Sequence, residues 1–450
     1  MMVRVRRRAG GLIGRDQAGR IVGRIGSDRA GWIGSLRAGP AAPPTLNRNR
    51  TLVKRWGARR TSRQLSPPAP PVRDNVPIRI HRFEGETMRG TTVVLAEPGR
   101  IDYQEFEAVA PPPGGILMRM VRANVCGSEI HILKGHHPLV RPGCVLGHEG
   151  VGVVEALGDG VDSDFTGAPL AVGDRIVATY FQACRRCPEC NNGTPHICRN
   201  AYTLWGTPAA EAPHFNGTFG TFCAIGPNQA VFKVPDSVTS TAVSSANCAL
   251  SQVYFGCELG EVSLGQKVVV LGAGGLGVCA SAVASRMGAE VFVAEMAPAR
   301  LDKALEFGAH HGIDLSQAED SAGRVELIRE ATAGSADVVI DLTGVPDGFT
   351  EAVRSTRAGG IMVSIGNISP NRFTEFDPGL FTRSGAQIRA AIRYPGATLG
   401  RAVRFIADTP ELDWGHLVDK DFAFDDIGSA LEAAESRSVT RAGIVIDPSL

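Results

Sequence analysis

Short apolar runs separated by glycine characterise the chain from Met88 onward. Thr91–Leu95 and Gly115–Ala123 alternate or run apolar, and Val151–Leu157 and Asp174–Thr179 continue the pattern. Apolar runs of this length, bounded by turn residues, are typical of β-strands. We therefore expect a compact β-rich domain in this half of the chain.

From about Lys267 the pattern changes to strands that alternate with helical periods. The apolar run KVVVL leads into a glycine turn, a helical stretch through Met287 and then the strand EVFVAE. Later elements continue this alternation, as helices over Pro298–Phe307, Ala322–Ala331 and Asp347–Arg357 and strands over Asp337–Asp341 and Ile361–Ile365. Such alternation predicts a doubly wound parallel sheet, so the fold class is α/β with a second, β-rich domain. The C-terminal part returns to helix, over Leu399–Ile406 and Ile427–Ala434, and to a closing strand, Gly443–Ile446.

Residues 1–87 differ in texture from the rest of the chain. They hold loosely repeated Gly-Arg pieces and the stretch SPPAPPV, with 19 Lys and Arg against 5 Asp and Glu, whereas residues 88–450 carry 28 against 41. Such a segment cannot bury enough apolar surface to offset chain entropy, so we expect a disordered basic extension. Three interpretations stay open: an artefactual extension ahead of a true start at Met88, a basic tail, or an organellar transit peptide. We expect the extension to be dispensable.

Overall composition is that of a globular protein. Of the 450 residues 43% are apolar and 21% charged, and no run of about 18 apolar residues exists, which argues against a transmembrane helix. Four of the ten cysteines are clustered and the other six are scattered. This usage favours a reducing, cytoplasmic setting over a disulfide framework.

The clustered cysteines carry the strongest chemical signal. Cys184, Cys187, Cys190 and Cys198 stand in C-x2-C-x2-C-x7-C spacing within a stretch rich in glycine and proline. Four thiolates at such intervals can close a tetrahedron around one zinc ion and leave no position for substrate, which makes a structural site. A disulfide-rich loop and a chance cluster are the alternatives. The sequence thus predicts a structural zinc lobe over residues 184–198.

A second set of candidate ligands predicts an open metal site. Cys126 and His148 lie in the β-rich part, and Cys248 lies just ahead of the glycine turn. A catalytic zinc takes about three protein ligands and keeps one exchangeable position, where it acts as a Lewis acid. Each residue alone has a structural alternative, as a buried apolar thiol or a hydrogen-bonded histidine. His136 and His137 are interpreted as loop residues, with the lining of a substrate pocket as the alternative.

The glycine turn after KVVVL predicts a dinucleotide site. Gly272, Gly274 and Gly277 form GxGxxG between a strand and a helix, the context in which glycines let backbone approach a pyrophosphate. Glu295 ends the next strand, where a carboxylate can accept hydrogen bonds from the ribose hydroxyls and repel a 2′-phosphate. The cofactor is therefore expected to be NAD rather than NADP. An ordinary tight turn and a solvated carboxylate are the alternatives.

These motifs occur in a fixed order that resembles a known family. C-G-S-E-x-H at Cys126, G-H-E-G-x-G-x-V at Gly147, the zinc lobe, Cys248 and V-V-V-x-G-x-G-G-x-G at Val268 are similar to the zinc-dependent medium-chain alcohol dehydrogenases. The resemblance implies a GroES-like catalytic domain over 88–247 and 397–450, around a Rossmann NAD-binding domain over 248–396. It also implies two zinc ions per chain.

The resemblance further implies roles for individual residues. Ser128 would take the proton of the alcohol, His131 would pass it on through the cofactor ribose, and Glu149 would lie near the catalytic zinc and join it transiently. Glu129 stands where the family usually has Asp, as a partner of the ligand histidine. The expected cofactor-binding set is Gly272, Gly274, Gly275, Leu276, Gly277, Glu295, Arg300 and Arg441, the last near the pyrophosphate.

The predicted activity is hydride transfer between an alcohol and NAD. The segment 200–219 contains the aromatic residues Tyr202, Trp205, Phe215 and Phe219. They favour a roomy apolar pocket for a hydrophobic or cyclic secondary alcohol, and a loop that packs on its own domain is the alternative. The resemblance also implies a homodimer or homotetramer that pairs through the Rossmann domain, with Ile361–Phe381 as the expected contributor. No membrane partner is expected. The alternative, a zinc-containing nucleic-acid-binding module that uses the basic tail, is disfavoured by the acidic body.

Overall fold

In a computed structural model the chain is described over residues 88–138, 140–334 and 336–449. The predictions for residues 1–87, including their disorder, lie outside the described residues. The described residues belong to one compact unit. Within them, no helix combines the length and the apolar character needed to cross a bilayer.

The strands of the described residues form three sheets. In chain order they are β1 (Arg89–Glu97), β2 (Arg100–Glu107), β3 (Ile116–Asn124), β4 (Gly150–Leu157), β5 (Arg175–Ala178), β6 (Phe222–Ile225), β7 (Val231–Lys233), β8 (Lys267–Leu271), β9 (Glu290–Glu295), β10 (His311–Asp314), β11 (Ala336–Asp341), β12 (Thr356–Ser364), β13 (Gln387–Ala390), β14 (Lys420–Ala423) and β15 (Ala442–Val445).

Helices connect the strands of the parallel sheet and cap the β-rich domain. They are α1 (Gly127–Leu133), α2 (Pro188–Asn191), α3 (Ser240–Val243), α4 (Ser251–Leu259), α5 (Gly275–Arg286), α6 (Pro298–Glu306), α7 (Ser321–Ala331), α8 (Pro346–Ser355), α9 (Pro378–Ser384), α10 (Ala397–Asp408) and α11 (Ile427–Glu435). Short 3₁₀ turns lie at Pro195–Ile197, Leu315–Gln317, Trp414–Leu417 and Phe424–Asp426, and a π-helical turn spans Ala246–Leu250.

The β-rich domain is built around β3. Its sheet runs β14-β15-β3-β4-β5-β7, with β6 also paired to β3, and the hairpin β1-β2 lies beside it. All pairings in this sheet are antiparallel except β14 with β15. Gly443 of β15 lies opposite Asn124 of β3, so the C-terminal end of the chain completes the domain that the N-terminal half begins.

The second sheet is entirely parallel and has the order β10-β9-β8-β11-β12-β13. Numbered within this domain the order is 3-2-1-4-5-6, the doubly wound arrangement that binds a ligand where the strand order reverses. That reversal lies between β8 and β11, and the glycine turn directly follows β8. Because β8 is buried from Val268 to Leu271, its apolar run fits a strand covered by helices on both faces.

The predicted fold class is confirmed: α/β, with a β-rich domain and a doubly wound parallel sheet. The boundaries at 247 and 397 stay a prediction. In the parallel sheet two short strands were not expected from the sequence, β10 and β13, and β12 begins at Thr356 rather than at Ile361. The helix predicted over Asp347–Arg357 ends earlier, at Ser355, because the backbone of Thr356 is extended.

Candidate active site and metal centres

Three distant segments bring Cys126, His148 and Cys248 together. Cys126 precedes α1 in extended conformation, His148 lies just ahead of β4, and Cys248 lies in the π-helical turn before α4. Their ligand atoms all lie within 4.8 Å of one another, and all three residues are buried. A π-turn inserts one extra residue into a helix and often marks a functional position; here it carries the third candidate ligand.

The separations within this cluster match one tetrahedral zinc. Two thiolates at zinc–sulfur bonds of about 2.3 Å and a tetrahedral angle lie about 3.8 Å apart. The Cys126 and Cys248 sulfurs are 3.8 Å apart, and His148 Nε2 is 3.2 Å from Cys248 Sγ. The donor set therefore fits a zinc ion with three protein ligands and one open position.

Glu129 orients two of the three candidate ligands. One carboxylate oxygen contacts His148 Nδ1, and the other accepts a hydrogen bond of 3.0 Å from the Cys126 backbone N–H. Because Nδ1 is engaged in this way, Nε2 is the nitrogen that faces the cluster. Burial raises the pKa of the Glu129 carboxyl, and the contact with His148 works in the opposite direction. Glu129, although longer than the aspartate usual at this position, thus still contacts the ligand histidine.

Glu149 lies beside the cluster but points to Arg441. Arg441 Nη1 donates to both carboxylate oxygens, at 2.6 and 2.7 Å, and Asn124 Nδ2 donates to one of them at 3.1 Å. Both side chains of the ion pair are essentially inaccessible, at 0% and 2% exposure. Glu149 does not belong to the set of candidate ligands formed by Cys126, His148 and Cys248. Its transient coordination of the zinc stays a prediction.

The four clustered cysteines form the second candidate metal centre. The sulfurs of Cys184, Cys187, Cys190 and Cys198 all lie within 4.8 Å of one another. Cys187 Sγ and Cys198 Sγ are 3.7 Å apart, again the spacing of two ligands on one zinc. A hydrogen bond from the backbone N–H of Arg186 is the main cause that lowers the pKa of Cys184 to about 6. The lobe offers four thiols and no open position.

The glycine turn after β8 has the geometry of a pyrophosphate cradle. Gly272 adopts φ of +100°, and a side chain on Gly277 would meet the Gly272 carbonyl oxygen at 2.0 Å. A side chain on Gly274 would meet nothing within 4 Å, which leaves room for a ligand against the backbone. Helix α5 begins at Gly275 and presents its free N–H groups there. Arg441 packs on Gly275, and its buried Nε has no hydrogen-bond partner among the described residues.

The candidate adenosine site is a cavity of about 340 Å³ beside this turn. Gly272, Gly274, Glu295 and Arg300 contribute to its lining. Glu295 Oε2 accepts from the Ala273 N–H at 2.7 Å, and Oε1 accepts from two backbone N–H groups that follow β9. These donors fix the carboxylate at the end of β9. Arg300 Nη2 donates to the Val439 carbonyl at 2.8 Å, which ties α6 to the C-terminal segment.

The candidate proton-transfer residues lie on α1. Ser128 Oγ donates to Cys126 Sγ at 3.2 Å, so its hydroxyl is next to the metal cluster. His131 lies one turn further, and its Nδ1 is 3.0 Å from Ser369 Oγ in the loop after β12. Burial lowers the pKa of His131, which keeps the ring neutral near pH 7. A neutral imidazole can accept a proton.

Comparison with known proteins identifies the family of this chain. Residues 112–236 match the alcohol dehydrogenase GroES-like domain, and residues 275–408 match the zinc-binding dehydrogenase domain. A 5-exo-hydroxycamphor dehydrogenase of Pseudomonas putida is 30% identical over 79% of this chain and 96% of its own length. The chain belongs to the zinc-dependent medium-chain alcohol dehydrogenases.

Other relatives agree with this assignment. A sorbitol dehydrogenase of Macaca fascicularis is 29% identical over 62% of this chain and 75% of its own length. The crystal structure of an alcohol dehydrogenase from Thermotoga maritima superposes with a TM-score of 0.74 at 27% identity, over 80% of this chain and all of that one. This medium-chain dehydrogenase is therefore an enzyme that uses zinc and NAD(P) on a small-molecule alcohol. Nothing in the comparisons supports the nucleic-acid-binding alternative.

In this alcohol dehydrogenase the three candidate zinc ligands face a cavity of about 280 Å³. Its walls include all three candidate ligands, Leu276 of α5, several aromatic side chains and two polar groups that the sequence analysis missed, Gln252 and Arg393. The aromatic members are Tyr180, Tyr202, Trp205 and His137. His137, interpreted as a loop residue, therefore faces the catalytic space, and burial lowers its pKa to about 4.

The aromatic segment predicted to form the pocket is divided by the structure. Tyr202 and Trp205 line the cavity, whereas Phe215 and Phe219 are fully buried in the β-rich core. The expectation was therefore wrong for the two phenylalanines, because they pack on the sheet rather than beside the metal cluster. A signal for Gln252 was present, since it lies four residues after Cys248 in a continuous helical segment and so on the same face.

Proposed function

We propose that this dehydrogenase oxidises an apolar, cyclic secondary alcohol with NAD, at a zinc held by Cys126, His148 and Cys248. The four-cysteine lobe would hold a second, structural zinc. One observation carries the proposal: a single cavity is lined both by the three ligands and by Leu276 of the glycine turn. A substrate oxygen at the metal would thus lie within reach of a nicotinamide whose pyrophosphate rests on α5.

Zinc supplies a Lewis acid that acidifies an alcohol, and NAD supplies a hydride acceptor, when both are bound. The chain's own residues do the rest. Ser128 Oγ takes the hydroxyl proton, and His131 passes it to solvent, held in place by its contact with Ser369. Tyr180, Trp205 and their apolar neighbours exclude water around the reacting carbon.

The proposed substrate class follows from the walls of the cavity. Its aromatic side chains and Ile365, Ile368 and Ile392 present a mostly apolar surface. A space of about 280 Å³ lies just below the usual range for small-molecule sites, which fits a compact substrate. The relative from Pseudomonas putida is named for a hydroxylated camphor, which supports a cyclic secondary alcohol here.

Metal content and a substrate panel test this proposal together. We expect two zinc ions per chain by elemental analysis, and NADH formation that is fastest with cyclic secondary alcohols among primary, secondary and cyclic candidates. One zinc without turnover would remove the Cys126, His148 and Cys248 site from the proposal. Fastest turnover with short primary alcohols or polyols would overturn the substrate class and leave the two sites intact.

The cofactor preference is proposed to rest on Glu295. Its carboxylate is fixed by three backbone N–H donors, and a like charge about 4 Å away costs roughly 1–4 kcal/mol near a protein surface. We expect kcat/KM to favour NAD over NADP, and Glu295→Gln to reduce that ratio by roughly 10-fold or more.

Glu290→Gln is a matched control for this change. Glu290 begins the same strand at its opposite end, where its side chain is 45% exposed and contacts His311. The NAD-to-NADP ratio should be unaltered in that variant. A higher kcat/KM with NADP than with NAD in the unmodified protein would refute the assigned role of Glu295.

Two further features of the chain's setting are proposed. We infer a homodimer or homotetramer through residues 361–381 of the parallel-sheet domain, where β13 forms an edge of the sheet and Phe373 and Leu380 are 87% and 61% exposed. Sedimentation of a single monomeric species would contradict it.

We also propose that the protein is located in the cytoplasm, since zinc thiolates persist in a reducing compartment.

A further inference from the structure

A buried acceptor in the catalytic cavity lacks a protein partner. Gln252, on α4, is only 5% exposed and lines the cavity that holds the candidate zinc ligands. Its Nε2 donates to the Ala391 carbonyl at 3.1 Å, whereas its Oε1 has no hydrogen-bond partner among the described residues. Buried polar atoms are seldom left in this state, because the hydrogen bond to water that is lost on burial is then not replaced.

The orientation of this amide is set by its neighbour. If Oε1 and Nε2 were exchanged, the Gln252 oxygen would face the Ala391 carbonyl oxygen, and two acceptors would oppose each other. The amide nitrogen is therefore fixed on Ala391, which directly follows β13. The oxygen remains available to a donor that enters the cavity.

We propose that Gln252 Oε1 accepts a hydrogen bond from the carboxamide N–H group of the nicotinamide and so orients the ring. The inference rests on the proposed function, because it needs a nicotinamide in this cavity. The same cavity is lined by Leu276 in the first turn of α5 and by Ile365 and Ala391, which follow β12 and β13. In a doubly wound sheet the dinucleotide lies across the carboxyl ends of these strands.

The chemistry of the two ligands favours the cofactor over the substrate as the donor. A secondary alcohol with one hydroxyl group has one O–H proton, and that proton leaves through Ser128 in the proposed reaction. A nicotinamide carboxamide offers two N–H protons and needs acceptors for them. A substrate with a second hydroxyl group could also supply a donor, and this difference can be measured.

The test compares two cofactors that differ only in the donor. Dissociation constants of NADH and of reduced 3-acetylpyridine adenine dinucleotide, in which a methyl group replaces the amide NH₂, are measured by calorimetry on the zinc-loaded full chain. We expect the unmodified protein to bind NADH more tightly. Gln252→Met, which removes the acceptor at similar volume, should weaken NADH binding by roughly 3- to 10-fold and leave binding of the analogue nearly unchanged.

Two comparisons keep this test decisive. Gln317→Met makes the same exchange at an exposed site in the 3₁₀ turn after β10 and should alter neither constant. Equal weakening of both cofactors by Gln252→Met, or no weakening of either, would overturn the inference. An unchanged NADH affinity with a raised KM for diols would assign Oε1 to substrate instead. If neither cofactor binds the unmodified protein, the proposed function fails before Gln252 is at issue.

Discussion

Replacement of Ser128 by alanine should lower kcat by roughly 10²- to 10⁴-fold, the usual worth of a general acid–base group. The hydroxyl lies 3.2 Å from Cys126 Sγ, at the metal cluster, and His131 follows one helical turn later with a pKa lowered by burial. Without the hydroxyl, the substrate proton loses its first acceptor on the protein. Zinc content should remain at two ions per chain, since Ser128 belongs to neither set of candidate zinc ligands.

Ser128→Thr separates proton transfer from packing. Threonine keeps the hydroxyl and adds one methyl group at a half-buried position of α1. We expect kcat within about 10-fold of the unmodified protein, compared with the much larger loss for alanine. The measurement is steady-state NADH formation together with zinc analysis. Near-normal turnover of the alanine variant with full zinc content would take Ser128 out of the mechanism.

Motifs that act over short stretches of chain could be predicted from the sequence. The four cysteines are close in the chain, so their spacing alone implies a cluster, and the glycine turn combines a strand, a tight turn and a helix within eleven residues, 267–277. The set Cys126, His148 and Cys248 spans more than 100 residues and depended on the order of several motifs. It agrees with the structure because three buried segments converge on it.

Contacts between distant segments could not be predicted in this way. His131 and Ser369 are 238 positions apart, and their hydrogen bond depends on the loop after β12. Arg393 lines the cavity while its Nε contacts the His196 carbonyl in the zinc lobe, an arrangement that no local pattern indicates. Strands β10 and β13 have four residues each, with mixed polarity, and exist because a longer neighbour provides a parallel ladder.

Loss of Arg441 should destabilise the fold by about 3–5 kcal/mol, because it would leave the buried Glu149 carboxylate without its cationic partner. Arg441 Nη1 bonds both oxygens of Glu149, and β15 begins at the next residue, so the pair ties the C-terminal strand to the segment that carries His148. From the sequence, Arg441 was expected to contact the cofactor alone. We expect Arg441→Met to lower the free energy of unfolding in urea and also to weaken NADH binding, since the buried Nε at Gly275 is removed.

Two variants show whether the buried charge is the cause. In the double variant Arg441→Met, Glu149→Gln the remaining group is neutral, so the loss of unfolding free energy should be clearly smaller than for Arg441→Met alone. Arg119→Met removes an arginine of β3 that is 36% exposed and paired with both Glu155 and Asp447, where solvent screening limits the cost of each pair to about 1 kcal/mol. If Arg441→Met is no more destabilising than Arg119→Met, the buried pair does not hold the two segments together. The stability effect arises from Arg441 Nη1, which bonds Glu149, and the binding effect from Nε, which lies at Gly275. NADH binding that stays weak in the double variant would therefore assign Arg441 to the pyrophosphate independently of the stability result.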